Sequence, residues 1–156
     1  MSENNKDHAG VIFPPPLIYG GFLLIGFVID YFWPIPVLHD IFQYALGGVL
    51  IVLALAIIIP AFNLFRKVGT AVRPDRPTTA IITSGPYRFT RNPLYLALTL
   101  IYAGIAIAAD SIWVLFLLIP VLLIMNQGVI GREEKYLDEK FGEEYRRYKK
   151  TVRRWL

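Results

Sequence analysis

The stretch Gly85-Pro86-Tyr87-Arg88-Phe89-Thr90-Arg91-Asn92-Pro93-Leu94-Tyr95 gathers two arginines, two tyrosines and a helix-start signal just before a long apolar run. Asn is a favoured N-cap and Pro fits the first helical turn, so a helix is expected to begin at Asn92-Pro93. The first turn of such a helix presents free backbone N–H groups and the positive end of the helix dipole, which suit a carboxylate or a phosphate. Arg91 would add a forked cation to the same anion. Arg88 reads more simply as a basic anchor at a membrane surface. A second cluster, Glu133-Glu134, follows the last apolar run. Acidic side chains at the head of a helix stabilise it by ~0.3–1 kcal/mol. A carboxylate there equally suits a ligand ammonium. An anion receptor and an ammonium receptor at one place would fit an amino-acid-like ligand.

The elements that position these residues are apolar. Of the 156 residues, 55% are hydrophobic and 18% charged, and the mean hydropathy is +0.49. Four runs stand out, at about 17–33, 41–65, 93–109 and 111–130. A spanning helix needs ~17–25 mostly apolar residues. The runs are apolar nearly all round, where a helix of a soluble bundle would show a stripe. Four spans would put the N-terminus, the loop Arg66–Asn92 and the C-terminal tail on one side, together with all 16 Lys and Arg. The opposite turns, Pro34–Asp40 and Ala109-Asp110-Ser111, carry Asp40 and Asp110 and no base. The positive-inside rule assigns the basic side to the cytoplasm. The net charge of +4 then reflects topology and anionic lipid rather than nucleic acid.

The expected architecture is an all-α integral membrane protein with four transmembrane helices, the last two forming a tight hairpin. Both termini are cytoplasmic, in a plasma (inner) or endoplasmic reticulum membrane. Met1–Gly10 lacks the basic start of a signal peptide, so the first run reads as a retained anchor. One domain covers 1–156, divided into an N-terminal helical hairpin, 1–65, and a cofactor-binding half, 66–156. Tyr31, Phe32, Trp33 and Trp113 read as interfacial anchors. Pro60 and Pro120 are expected to kink their helices. Ala103, Gly104, Ala106, Ala108 and Ala109 offer small faces for close packing. The loop, with Arg73-Pro74-Asp75-Arg76-Pro77, is too long and varied for a linker. The tail Gly131–Leu156 reads as an amphipathic helix along the membrane surface or over the helix bundle, its stripe being Leu137, Phe141, Tyr145, Tyr148 and Val152.

Several chemistries are excluded. There is no cysteine, hence no thiolate metal site or cysteine nucleophile. His8 and His39 have no ligand-like spacing, so no metal is expected. No Gly-x-Gly occurs, which argues against a soluble dinucleotide fold.

S-adenosylmethionine carries a carboxylate, an ammonium and a sulfonium, and meets these residues well. The helix start with Arg91 suits its carboxylate and Glu133-Glu134 its ammonium. A Tyr87 or Tyr95 ring suits its sulfonium. The pattern Gly85-Pro86-Tyr87-Arg88-x-x-Arg91-Asn92-Pro93-x-Tyr95 resembles the Gly-Pro-Tyr…Arg-His-Pro-x-Tyr motif of the isoprenylcysteine carboxyl methyltransferase family, to which membrane phospholipid methyltransferases are related. Glu133-Glu134-x-x-Leu137, Phe141-Gly142-x-x-Tyr145-x-x-Tyr148 and Val152-x-Arg154-Trp155 agree as well, so the resemblance covers about 83–156. It implies a membrane methyltransferase that uses S-adenosylmethionine and passes its methyl to a lipophilic acceptor among the membrane lipids. The implied acceptor is an isoprenylated cysteine, an ethanolamine phospholipid or a small hydrophobic thiol or acid. The implied cofactor-binding set is Gly85, Pro86, Tyr87, Arg91, Asn92, Pro93, Tyr95, Leu96, Glu133 and Glu134, with Arg91, Tyr95 and Glu134 as catalytic candidates.

Three departures stand out. Asn92 replaces the usual His and cannot titrate, Ala97 stands where Gly is common, and the sequence ends at Leu156 where relatives often continue with Pro. Two rival readings stay open. Membrane sterol reductases, which use a nicotinamide cofactor, resemble this family in their C-terminal half. The other is non-enzymatic, a small four-span transporter or a non-catalytic assembly factor, and Asp30 within the first run would suit the transporter.

Overall fold

The computed structural model describes residues 9–11, 13–37, 41–70 and 76–156. His8, His39, Asp40 and Arg73-Pro74-Asp75 lie outside them. Every regular element among the described residues is helical: α1 (Pro15–Phe32), α2 (Ile41–Val68), a short 3-10 turn (Gly85–Arg88), α3 (Pro93–Ala108), α4 (Ile112–Ile124), a π-turn (Met125–Ile130), α5 (Gly131–Phe141) and α6 (Glu143–Thr151).

Local sequence sets most of these boundaries. α1 starts at Pro15, in a first turn that needs no donor, and stops at Trp33, which precedes Pro34 and so disfavours the helical region. α2 ends at Gly69, whose φ of +72° lets the chain turn out of the helix while its N–H bonds the Phe65 carbonyl at 2.9 Å. Between α3 and α4, Asp110 takes a left-handed φ of +50°, and the Ser111 hydroxyl accepts from the Val114 N–H. α2 and α4 run through Pro60 and Pro120 without a break.

Three helical stretches are long and apolar enough to cross a membrane: Pro15–Phe32, Ile41–Val68 and the continuous Ile112–Phe141. α3 is equally apolar but shorter, at 16 residues. Large apolar side chains such as Leu24, Val28, Phe42 and Val52 are turned outward. A surface of that kind belongs in lipid rather than water. The molecule is an all-helical membrane protein.

The packing order differs from the chain order. α2 lies along α3, whereas α1 lies along α4 and also touches α3. The N-terminal helices therefore each pack mainly on C-terminal partners. Glycines allow both approaches. A Cβ on Gly47 would stand 2.6 Å from the Gly104 carbonyl, and one on Gly104 would stand 2.8 Å from the Gly47 carbonyl. A Cβ on Gly26 would meet Val114 at 2.8 Å. The small face expected on the third run is used in this way, by Gly104 and Ala108 against α2. On the other side of α3, Tyr19, Tyr102, Val114, Val121 and Met125 form a buried core.

The tail corrects the expectation of a single helix. Gly142, at φ +53°, breaks it into α5 and α6, and helix ends at Thr151. The apolar stripe survives the break because Tyr145 and Tyr148 fold back and are buried against the rest of the protein. Glu133 and Glu134 are likewise not at a free helix N-terminus, since α4 runs into α5 through the π-turn.

Replacing Gly104 with Leu should force α2 away from α3. Overpacking costs ~1–3 kcal/mol, so thermal melting in detergent should fall by several degrees. Gly48→Leu, at a position with nothing within 4 Å of an added Cβ, should melt as wild type.

Candidate functional site

α3, α5, α6 and the residue 76–92 loop meet at one end of the helices. The loop is pinned there by backbone donors: Thr79 N–H to the Thr70 hydroxyl at 2.9 Å and Thr78 N–H to the Tyr136 hydroxyl at 3.2 Å. Gly85, at φ +58°, closes against Leu64, and the 3-10 turn that follows buries Tyr87 edge-on to Phe65. The Tyr87 carbonyl accepts from the Tyr148 hydroxyl at 2.8 Å. Burial, reinforced by neighbouring Tyr145, raises the Tyr148 hydroxyl above its ordinary value and keeps it a donor.

Asn92 and Pro93 begin α3 as expected, but the Asn92 side chain does not cap it. Its amide donates to the Arg154 carbonyl at 2.9 Å, which also accepts from the Thr90 hydroxyl at 3.0 Å. The Arg91 N–H bonds the Arg153 carbonyl at 2.9 Å. The backbone that follows α6 is thus strapped across the 90–92 corner. Its last link is Trp155, whose indole N–H donates to the Asn126 side chain at 3.0 Å in the π-turn.

Glu134 is the electrostatic centre. Its carboxylate is 3.0 Å from Arg91, accepts from both Nε (3.0 Å) and a terminal nitrogen (2.7 Å) of Arg154, and lies 3.6 Å from Lys149. The Glu134 and Arg91 side chains are only 7% and 9% exposed. A buried carboxylate of this kind is tolerable only when paired and hydrogen-bonded. The bond to Glu134 in turn raises the Arg154 guanidinium above its usual value. Arg91 also reaches the Tyr145 hydroxyl at 3.5 Å, and its Nε is buried and without a hydrogen-bond partner among the described residues.

Glu133 is placed differently. Its carboxylate accepts from the Tyr95 hydroxyl at 2.5 Å, and no cation among the described residues pairs with it. The Tyr95 backbone carbonyl is fixed by the Thr99 hydroxyl at 2.8 Å.

These groups line a cavity of about 850 Å³, its open mouth included. Arg91, Asn92, Tyr95, Glu133, Glu134 and Tyr145 supply its polar wall, and Phe65, Ile81, Ile82, Leu94 and Leu137 its apolar wall. Of the residues expected from the sequence, Tyr87, Arg91, Asn92, Tyr95, Glu133 and Glu134 reach the cavity. Gly85, Pro86, Pro93 and Leu96 do not. Gly85 and Pro86 shape the turn that presents Tyr87, Pro93 is buried beneath the corner, and the Leu96 N–H bonds the Asn92 carbonyl. Sequence reasoning missed Arg154 and Lys149 as partners of Glu134. Arg154 stood in the Val152-x-Arg154-Trp155 motif, which was the available signal. No group of three His, Cys, Asp or Glu suited to a metal occurs among the described residues.

Comparison with known proteins agrees with this architecture. A phospholipid methyltransferase family model matches residues 42–144, from the second residue of α2 to beyond the paired glutamates. A protein of Haemophilus influenzae described as uncharacterized is 46% identical over 63 residues, covering 40% of this chain and all of that one. No solved structure matches. With two thirds of its length matched by that model, the chain belongs to the phospholipid methyltransferase family of membrane proteins.

Proposed function

We propose that this protein transfers a methyl group from S-adenosylmethionine to a lipophilic, membrane-borne acceptor. In this reading α1 to α4 all span the bilayer, and both termini and the cavity face the cytoplasm. The observation that carries it is that one cavity is lined both by a guanidinium with an unpartnered nitrogen, Arg91, and by a carboxylate with no cation partner among the described residues, Glu133. The Arg91 guanidinium suits the donor's carboxylate, and Glu133 suits its ammonium, whose charge would favour the ionised form of a carboxyl that burial raises to about 7. Family membership supports the reaction class.

This assignment moves the ammonium partner from Glu134, the sequence expectation, to Glu133. A carboxylate already flanked by three cations would greet an ammonium with repulsion from all of them. Glu134 instead fixes Arg91 and Arg154. It is also a poor base for the same reason, so a proton leaving the acceptor falls to the Tyr95–Glu133 pair. S-adenosylmethionine supplies a methyl already activated on sulfonium. The chain's own work is to hold both partners in line and exclude water, and such positioning accounts for ~7–11 kcal/mol of barrier lowering in comparable cases. The apolar wall of Phe65, Ile82 and Leu94 suits an acceptor that arrives from the bilayer. Its head is the carboxylate of an isoprenylated cysteine, a phospholipid amine or a small hydrophobic group.

Two experiments test this. Calorimetry on detergent-purified protein should show S-adenosylmethionine binding and no heat from NADPH. Arg91→Ala and Glu133→Ala should weaken binding by ~10–100-fold, the worth of one charge-assisted hydrogen bond. Wild type that ignores S-adenosylmethionine would sink the proposal, and lipid mass spectrometry after feeding methyl-labelled methionine would identify the acceptor. The second experiment is thermal. Glu134→Gln should cost ~3 kcal/mol because it strands buried Arg91. Arg154→Met should cost less, ~1 kcal/mol, since that side chain is 38% exposed. Equal melting temperatures for the two would contradict the pairing.

A further inference from the structure

The π-turn carries a consequence for the site. Val114, Val121 and Met125 are fully buried and mark the inner line of α4. At 3.6 residues per turn, position 132 lies about five turns beyond Val114 and would fall on that line in an unbroken α-helix. Glu134 would then point about 160° away from it. The structure is otherwise: Arg132 is exposed, Glu134 is 6% exposed and the Lys135 side chain is 79% exposed. The difference arises at Met125–Ile130, where the Gly131 N–H reaches back to the Asn126 carbonyl and one extra residue is absorbed. That residue sets the following helix back by about 100°, which returns Glu133 to the inner line and turns Glu134 toward Arg91.

We propose that Asn126 and Trp155 are positioning residues that hold this π-turn in place, and with it the rotation of Glu133 and Glu134. Asn126 supplies two anchors to the turn: its carbonyl closes the wide turn, and its side chain accepts the Trp155 indole N–H at 3.0 Å. Trp155 is fixed in turn because the carbonyls of Arg153 and Arg154 accept from the Thr90–Asn92 corner. Without the indole bond, the segment Met125–Ile130 relaxes to the tighter α pattern and swings both glutamates off the cavity. The proposal rests on the methyl-donor reading only for what the glutamates bind. The rotation itself has a readout of its own.

The test uses the absence of cysteine from the chain. Lys135→Cys gives a single thiol on the outer face, open to a water-soluble maleimide. Asn126→Leu or Trp155→Phe in that background should turn position 135 inward and slow labelling at least fivefold. In otherwise native protein the same variants should weaken S-adenosylmethionine binding at least tenfold. Deleting the exposed Gln127 removes the extra residue, so an ordinary α-helix regains the native phase. Added to either variant, the deletion should restore both labelling and binding, which a general loss of stability would not allow. Unchanged labelling in both variants, or no restoration by the deletion, would overturn the proposal. Labelling that follows the expected pattern in a protein that never binds S-adenosylmethionine would leave the rotation standing and remove the donor.

Discussion

The site is organised around one buried carboxylate. Glu134 comes from α5, and its three cations come from the corner before α3, from α6 and from the segment after α6. These segments are short, and apart from Tyr145 and Tyr148 of α6 they bury few large apolar side chains. What orders them is the cost of leaving a charge unpaired at low dielectric, several kcal/mol per ion. Satisfying Glu134 draws the tail over the corner, and the tail carbonyls then satisfy the Arg91 N–H and the Asn92 amide. Charge pairing and backbone hydrogen bonding reinforce one another here.

The division of labour between the two glutamates follows from this arrangement. They are adjacent in sequence and about 100° apart around one helix. Glu134 is spent on architecture, while Glu133, raised to about 7 by its burial, faces the cavity with a tyrosine hydroxyl as its one hydrogen-bond partner among the described residues. Arg91 is divided in the same way: a terminal nitrogen serves Glu134 while Nε, also buried, has no partner among the described residues. A small membrane protein has few polar residues at depth, and here single side chains serve both stability and recognition.

Much of this was legible in the residues, and the limits are instructive. The apolar runs locate α1 to α4 within a few residues, because lipid demands all-round hydrophobicity that few other elements show. Asn92-Pro93 marks the start of α3, since proline's fixed φ and missing donor are local properties. The Asn92 side chain was misread because its partner, the Arg154 carbonyl, lies 62 residues away and leaves no local trace. Gly142 as a helix break was readable in principle. The Leu137-to-Val152 periodicity outweighed it, as the stripe continues across the break. The π-turn could have been inferred from the conflict between Val114-Val121-Met125 and Glu134, which an unbroken helix cannot bury together.

The packing order also bears on how the molecule is assembled. α2 finds its partner in the next apolar helix to be synthesised. α1, the first made, rests mainly on α4, some 90 residues later, through Gly26 and Val114. Closing a loop that long carries an entropic cost before any contact rewards it. During synthesis α1 therefore waits in the lipid with its glycine notch unfilled. The α1–α4 contact is thus completed only after every other apolar helix of the bundle has been made.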